Sequence, residues 1–310
     1  MAWYCSEPYN NVYFQQTEQG LKVAPCCVAN FGAYDPDSDL YNQPYLKSIR
    51  NDFDNNSVPD ACKYCVNSER KGLPSRRQTS GQKQKVNYIK NVEIHVGNYC
   101  NLKCVICHPA DSSTWHRDAK QLGFKTYKKF NIDYERLDID YSTVECIHFN
   151  GGEPLFTDTH IKILEKIEYP EKCRVNYNTN GTIKVKQDIF DFWEKFGLVF
   201  LYFSIDDIGK RFNYQRTNAD WDTVKANMFW YKDNAPVNMM FGINRIISRL
   251  NYKHLNELDD WFEQKFSTNR LGDSNDFTNG FANGPTSLDS EEQEFQEYIQ
   301  KLNQLRGSDV

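Results

Sequence analysis

The chain has 310 residues, 39% hydrophobic and 25% charged, with 37 Lys and Arg against 42 Asp and Glu. This is a globular composition that excludes disordered and fibrous classes. No apolar run approaches the roughly 18 residues of a spanning helix, and the opening MAWYCSEP lacks the basic-then-apolar order of a secretory signal, so a cytoplasmic protein without a membrane is expected. The net charge of −5 gives no overall attraction to nucleic acid or to an anionic lipid surface.

Residues 1–74 hold five of the ten cysteines and read as a small cysteine-rich module of hairpin and helix. Alternating segments at 11–16 and 21–25 flank a turn at 17–20, where Gly20 supplies positive φ. A helix over 45–53 precedes Cys62 and Cys65. Residues 75–90 are polar and basic and read as a linker. From 91 onward strands at 91–96, 144–149, 174–177, 198–205 and 237–243 alternate with helices at 111–122, 157–167, 187–196, 221–231 and 252–266. This alternation predicts parallel strands joined by right-handed crossovers. A sixth strand falls in the weakly patterned stretch 267–285, and 288–306 forms a last acidic-to-basic helix. The expected class is α/β, a partial (β/α)6-type TIM barrel over 91–285, with the C-terminal helix in 286–310. Its motifs fall at the C-terminal ends of strands, where such barrels place their sites.

Cysteine carries the chemistry. In a reducing compartment disulfides are not expected, and closely spaced cysteines read as metal or iron–sulfur ligands. Cys146 and Cys173, isolated in or beside strands, read as buried inert thiols. Cys100, Cys104 and Cys107 lie in one loop after a strand. Three soft ligands on a four-iron cluster leave one iron open; the alternative is a zinc knuckle completed by a residue such as His108. Gly151-Gly152-Glu153-Pro154 ends the second barrel strand, Asn178-Thr179-Asn180-Gly181 the third and Ser204-Ile205-Asp206 the fourth, with Arg216 beyond. Cys5, Cys26, Cys62 and Cys65 make a second candidate set, with Cys27 as the rival of Cys26 and a four-cysteine zinc site as the rival of a cluster.

The triplet at the end of a first barrel strand resembles the signature of the radical S-adenosylmethionine (SAM) superfamily, and the glycine–glycine–glutamate–proline string one unit later resembles that family's second motif. The resemblance implies a [4Fe–4S] cluster on Cys100, Cys104 and Cys107 whose open iron chelates SAM. One electron, from a donor such as flavodoxin or ferredoxin, then cleaves the sulfonium to methionine and a 5′-deoxyadenosyl radical, which takes hydrogen from the substrate. It implies SAM contacts from Ile106, Gly151, Gly152, Glu153, Asn178, Asn180, Ser204, Asp206 and Arg216, with Asn244 and Asn251 as weaker candidates. Glycines would let backbone approach the ligand, Glu153 would hold its ammonium, and the Arg216 fork its carboxylate; the bland reading of Asp206 and Arg216 is a surface ion pair. Ile106 departs from the family, which usually has an aromatic residue there.

Cys5, Cys26, Cys62 and Cys65, followed by residues 70–77 (RKGLPSRR), resemble a twitch or SPASM auxiliary iron–sulfur module placed before the barrel instead of after it. A peptide or protein side chain, or a small metabolite, is the expected substrate. Two alternatives stay open. One is a nucleotide or nucleic-acid substrate, since eight Lys and Arg stand against one Glu between Lys63 and Lys90. The other is a non-catalytic zinc or iron–sulfur protein that binds or transfers electrons. Asp206, Asp207, His95, His148 and Tyr177 are acid–base candidates by position alone.

Overall fold

The computed structural model describes residues 4–79, 84–266, 277–282 and 284–307. Residues 80–83 of the expected linker and 267–276 of the weakly patterned stretch lie outside the described residues. The chain forms two compact units, one of residues 1–97, 131–150 and 158–175, the other of residues 98–130, 151–157 and 176–310.

In the first unit the strands are β1 (Asn11–Thr17), β2 (Gly20–Ala24), β3 (Gly32–Ala33), β4 (Asn91–His95) and β5 (Cys146–Asn150), ordered β3-β2-β1-β4-β5. Thr17 faces Gly20 across the antiparallel β1–β2 hairpin. Glu18 and Gln19 are thereby left as a two-residue turn, and Gly20 takes φ +109°, which disfavours any side chain. On its other side β1 pairs in parallel with β4, residues 11–15 against 91–95, and β4 pairs in parallel with β5. The hairpin therefore continues the sheet that β4 opens. The helix Pro44–Asp54 starts on its proline and buries Leu46, Ile49, Arg50 and Phe53, a stripe with helical period. Within the segment expected as linker, Arg76–Thr79 is helical.

The second unit holds β6 (Arg174–Thr179, its first two residues counted with the first unit), β7 (Leu198–Ser204), β8 (Met239–Ile247) and β9 (Phe277–Phe281), in that order. β7, β8 and β9 pair in parallel. Val199, Phe200, Leu201 and Phe203 of β7 are all buried, as an interior parallel strand covered on both faces requires. The sixth expected strand is β9. The fold is mixed α/β with mostly parallel strands, the partial-barrel class the alternation predicts. Asp220 caps the helix Trp221–Asn234 by accepting from Thr223 N at 2.9 Å.

Two helices differ from their expected form. The helix expected over 111–122 is a 3-10 turn, Ser113–Trp115, followed by a short helix, His116–Gln121. Ser112 opens it, accepting from Thr114 N while donating to Leu102 O at 2.5 Å, so the start of this element is tied to the cysteine loop. The helix expected over 252–266 is α-helical at Leu255–Trp261 and widens to a π turn at Phe262–Phe266, where Phe262 and Phe266 are both buried. The last helix is Glu292–Arg306, capped by Gly307 in the left-handed region.

Candidate functional site

The loop 100–107 is fixed along its length within the second unit. Lys103 N donates to Thr217 O at 3.1 Å and Val105 N to Gln215 O at 2.7 Å. The Trp115 indole donates to Cys104 O at 2.9 Å and the Tyr298 hydroxyl to Val105 O at 2.8 Å. Cys100, Cys104 and Cys107 all lie on this loop, near enough to influence one another electrostatically, though among the described residues their thiols do not close into a metal-ligand set. Burial pushes all three pKa values up, that of Cys100 to about 12, and the neighbouring thiols add to the shift at Cys100 and Cys107. They are neutral thiols near pH 7, which a soft metal must deprotonate to bind.

The later strand ends reach this loop. A Cβ on Gly152 would lie 2.3 Å from Tyr99 O, and Glu153 N donates to that same oxygen at 2.8 Å. What Gly152 approaches is therefore the chain's own backbone. The Glu153 carboxylate is 1% exposed. It accepts from Thr179 Oγ1 at 2.8 Å, Leu155 N at 3.1 Å and Asn180 N at 2.7 Å. Burial outweighs these donors and pushes its pKa up to about 7. Asn180 Nδ2 donates to Asn101 Oδ1 at 2.9 Å and lies 3.9 Å from Cys100 Sγ. Asn101 donates to Thr182 Oγ1 at 2.8 Å, and Thr182 returns a bond to Asn180 Oδ1 at 2.6 Å.

Arg216 Nη2 stands 2.8 Å from Asp206 Oδ2 and Nη1 4.0 Å from Cys104 Sγ. Both side chains are buried, which corrects the expectation of a surface pair. The ion pair is close but not aligned as a hydrogen bond. Arg216 Nε and Asp206 Oδ2 have no hydrogen-bond partner among the described residues. Asp206 Oδ1 accepts from Ile246 N at 2.9 Å. Asn251 donates to Asp206 O and Ile246 O, which makes it a brace of this loop.

Asn180, Asp206 and Arg216 are thus brought to the cysteine loop, and Glu153 reaches it through Asn180. Asn178 is half-buried within β6, and Ser204 ends β7 opposite Asn244. Ile106 and Cys107 line a cleft of about 490 Å³ with Phe124, Lys125, Ile246 and Tyr298. Asp207 is held by Arg211 Nε at 2.9 Å to each oxygen, and the fully buried Tyr177 accepts from Trp193 Nε1 at 3.2 Å. Sequence reasoning missed Asn101, Thr182 and Tyr298. Asn101 sits inside the triplet and could have been found there; the other two carry no local signal.

In the first unit Cys5, Cys26, Cys62 and Cys65 line one small cavity with Glu7, Arg76 and Arg77. Cys62 and Cys65 straddle the passage from a 3-10 turn, Asp60–Cys62, into the helix Lys63–Arg70. Cys5 packs with Ile49, Phe53 and Ala61, and Cys26 with Tyr13, Ala24 and Ala29. Burial pushes the Cys5 and Cys62 thiols up to about 12. Cys27 is not part of the cavity lining; Arg76 Nη1 meets its sulfur at 3.1 Å. Among the described residues no three His, Cys, Asp or Glu side chains close around a single metal ion. Much of the basic segment is paired: Lys63 with Asp60, Arg76 with Glu7 and Glu93, Arg77 with Glu69, Lys85 with Asp54 and Lys90 with Glu145. Among the described residues no helix is long and apolar enough to cross a membrane.

The sequence profile of the Radical SAM superfamily matches residues 94–255. An uncharacterized protein of Methanocaldococcus jannaschii is 29% identical over 182 residues, covering 56% of this chain and 58% of that protein, so the chain spans little more than half its relative's length. Among solved structures, native anSMEcpe with bound AdoMet is similar at 17% identity and a TM-score of 0.46, over 71% of this chain and 63% of that one. Streptococcus suis SuiB is similar at 16% identity and a TM-score of 0.42, over 99% and 71%. The chain belongs to the radical SAM superfamily. A [4Fe–4S] cluster and SAM are the cofactors the family implies.

Proposed function

We propose that the chain reductively cleaves SAM at a [4Fe–4S] cluster held by Cys100, Cys104 and Cys107, and abstracts hydrogen from a peptide or protein side chain or a small metabolite. The observation that carries this reading is Arg216. Its guanidinium lies against Cys104 Sγ and Asp206 with Nε left without a partner among the described residues. A buried, unspent N–H beside a ligand thiol is unfavourable until an anion accepts it, and the carboxylate of SAM is such an anion. The donor set fits the group in its chemistry: three thiols on one loop and no fourth cysteine in it. When bound, the cluster supplies the electron that breaks the sulfonium bond.

The chain's own residues bind and orient. Glu153 accepts three hydrogen bonds, and a carboxylate has about four acceptor positions, so one remains for the ammonium of SAM. Asn180, locked by Asn101 and Thr182, fixes the third strand end beside Cys100. Ile106 offers an apolar face to the adenine, while Gly151, Asn178 and Ser204 line the ligand's remaining edge. The cleft beside Ile106 and Cys107 lies within the roughly 300–1,000 Å³ of small-molecule sites, which accommodates a side chain or a metabolite. An external one-electron carrier such as flavodoxin or ferredoxin feeds the site. Cys5, Cys26, Cys62 and Cys65 hold an auxiliary [4Fe–4S] cluster of the twitch/SPASM kind, with all four ligands from protein and therefore no open iron.

Anaerobic reconstitution with iron and sulfide, followed by dithionite and SAM, is expected to release 5′-deoxyadenosine, and Cys104→Ala is expected to abolish the release. A fully iron-loaded sample that leaves SAM intact overturns the proposal.

A further inference from the structure

The cavity shared by Cys5, Cys26, Cys62 and Cys65 has two cations in its wall, Arg76 and Arg77, and they are differently committed. Arg77 is engaged by one carboxylate, Glu69, through Nε at 2.9 Å and Nη2 at 2.5 Å, and donates to Tyr4 O at 3.1 Å. Arg76 stands between two buried carboxylates, with Nη2 3.2 Å from Glu7 and 2.5 Å from Glu93, and gives Nη1 to Cys27 Sγ at 3.1 Å. The side chains of Glu7 and Glu93 are each 5% exposed. Asn11 Nδ2 donates to Glu93 at 3.1 Å and to Pro25 O, next to Cys26, at 2.7 Å. One guanidinium therefore balances two desolvated anions at the wall of the cysteine cavity and keeps Cys27 occupied beside Cys26.

We infer that Arg76 is a positioning residue that sets the reduction potential of this cysteine site. The inference rests on reading the site as a four-thiolate cluster. Such a cluster is an anion in both redox states and gains one more negative charge when it takes one electron from a donor. In a buried setting that charge is opposed or favoured by fixed charges nearby. Arg76 favours it. Without Arg76, Glu7 and Glu93 face the cluster uncompensated and reduction becomes harder. Without the Glu93 charge, Arg76 is less neutralised and reduction becomes easier. A residue that only packs would not produce opposite shifts.

The test uses the full chain with Cys100, Cys104 and Cys107 all replaced by Ala, so that only the N-terminal site loads. It is reconstituted anaerobically with iron and sulfide and titrated with mediator dyes under electron paramagnetic resonance. Arg76→Gln is expected to lower the reduced-to-oxidised ratio at fixed potential at least tenfold, a 59 mV fall for a one-electron couple. Glu93→Gln is expected to move the midpoint upward, and Arg76→Lys to stay closer to the parent than Arg76→Gln. Should Arg76→Gln fail to load, the Glu93→Gln and Arg76→Lys midpoints decide. A loaded cluster whose midpoint is unmoved, or moves the same way in Arg76→Gln and Glu93→Gln, overturns the inference and leaves the cluster reading intact. A background protein that takes up zinc, or no more iron than its Cys62→Ala derivative, overturns the cluster reading and the inference with it.

Discussion

Gly152 and Glu153 do different work at neighbouring positions. At Gly152 the obstacle to any side chain is a carbonyl oxygen of the loop ahead of Cys100, and backbone cannot rotate aside. Gly152→Ala is expected to cost about 3 kcal/mol through displacement of the loop, read as a lowered Tm of the metal-free protein; an unchanged Tm contradicts it. At Glu153 the raised pKa has a definite sign. Between the unfolded value of 4.5 and about 7 the folded chain keeps a proton that the unfolded chain has lost. The stability from this group is therefore full below pH 4.5 and is lost as pH rises through about 7. At about 1.4 kcal/mol per pKa unit the loss is on the order of 3 kcal/mol. Urea unfolding of the metal-free protein between pH 5 and 8 is expected to show this decline, and Glu153→Gln to flatten it; parallel slopes would contradict the assignment. The motif string was legible from residue types and from its place after a strand. The reason for its second glycine was not, because the atom it approaches belongs to Tyr99, more than fifty positions earlier in the chain.

Among the elements, the helix Glu292–Arg306 acts on the cysteine loop from far along the sequence. Ile299 and Leu302 pack with Val105 and Trp115, Tyr298 donates to Val105 O, and Arg306 pairs at 2.8 Å with Asp118, both side chains 4% exposed. Tyr298→Phe is expected to cost about 1 kcal/mol. Arg306→Ala is expected to cost about 2 kcal/mol, below the usual penalty for breaking a buried pair because Lys103 remains on Asp118. Thermal melts give both values, and iron retention against a chelator is expected to fall in the same order. Chain pattern predicted this helix with its acidic start and basic end, but periodicity cannot say which surface an amphipathic face covers.

For the whole molecule, strand–helix alternation was enough to predict a mostly parallel α/β fold, because each βα unit announces itself locally. The pairing of β1 with β4 was not legible. Register between segments some eighty residues apart depends on partners that neither segment names. The same is true of the compact units, since residues 131–150 and 158–175 join the first and 151–157 the second. Among the candidate ligands, spacing alone groups Cys100, Cys104 and Cys107, whereas Cys26 and Cys27 differ in their surroundings through the cavity lining and Arg76, which the sequence shows only as part of a basic run. If both cysteine sets hold four-iron clusters, the reconstituted chain binds about eight irons and the triple replacement of the loop cysteines about four; equal iron in the two proteins would refute a second cluster.

The clasp over the cysteine loop has a consequence for biosynthesis. Its residues follow the loop by about 200 positions, and at about 5–20 residues per second a ribosome needs about 10–40 s to deliver them. A nascent chain therefore presents Cys107 before Tyr298 and Arg306 exist to cover that loop. Iron delivered in that interval meets a loop not yet braced, and iron delivered afterwards meets one the terminal helix already holds in place.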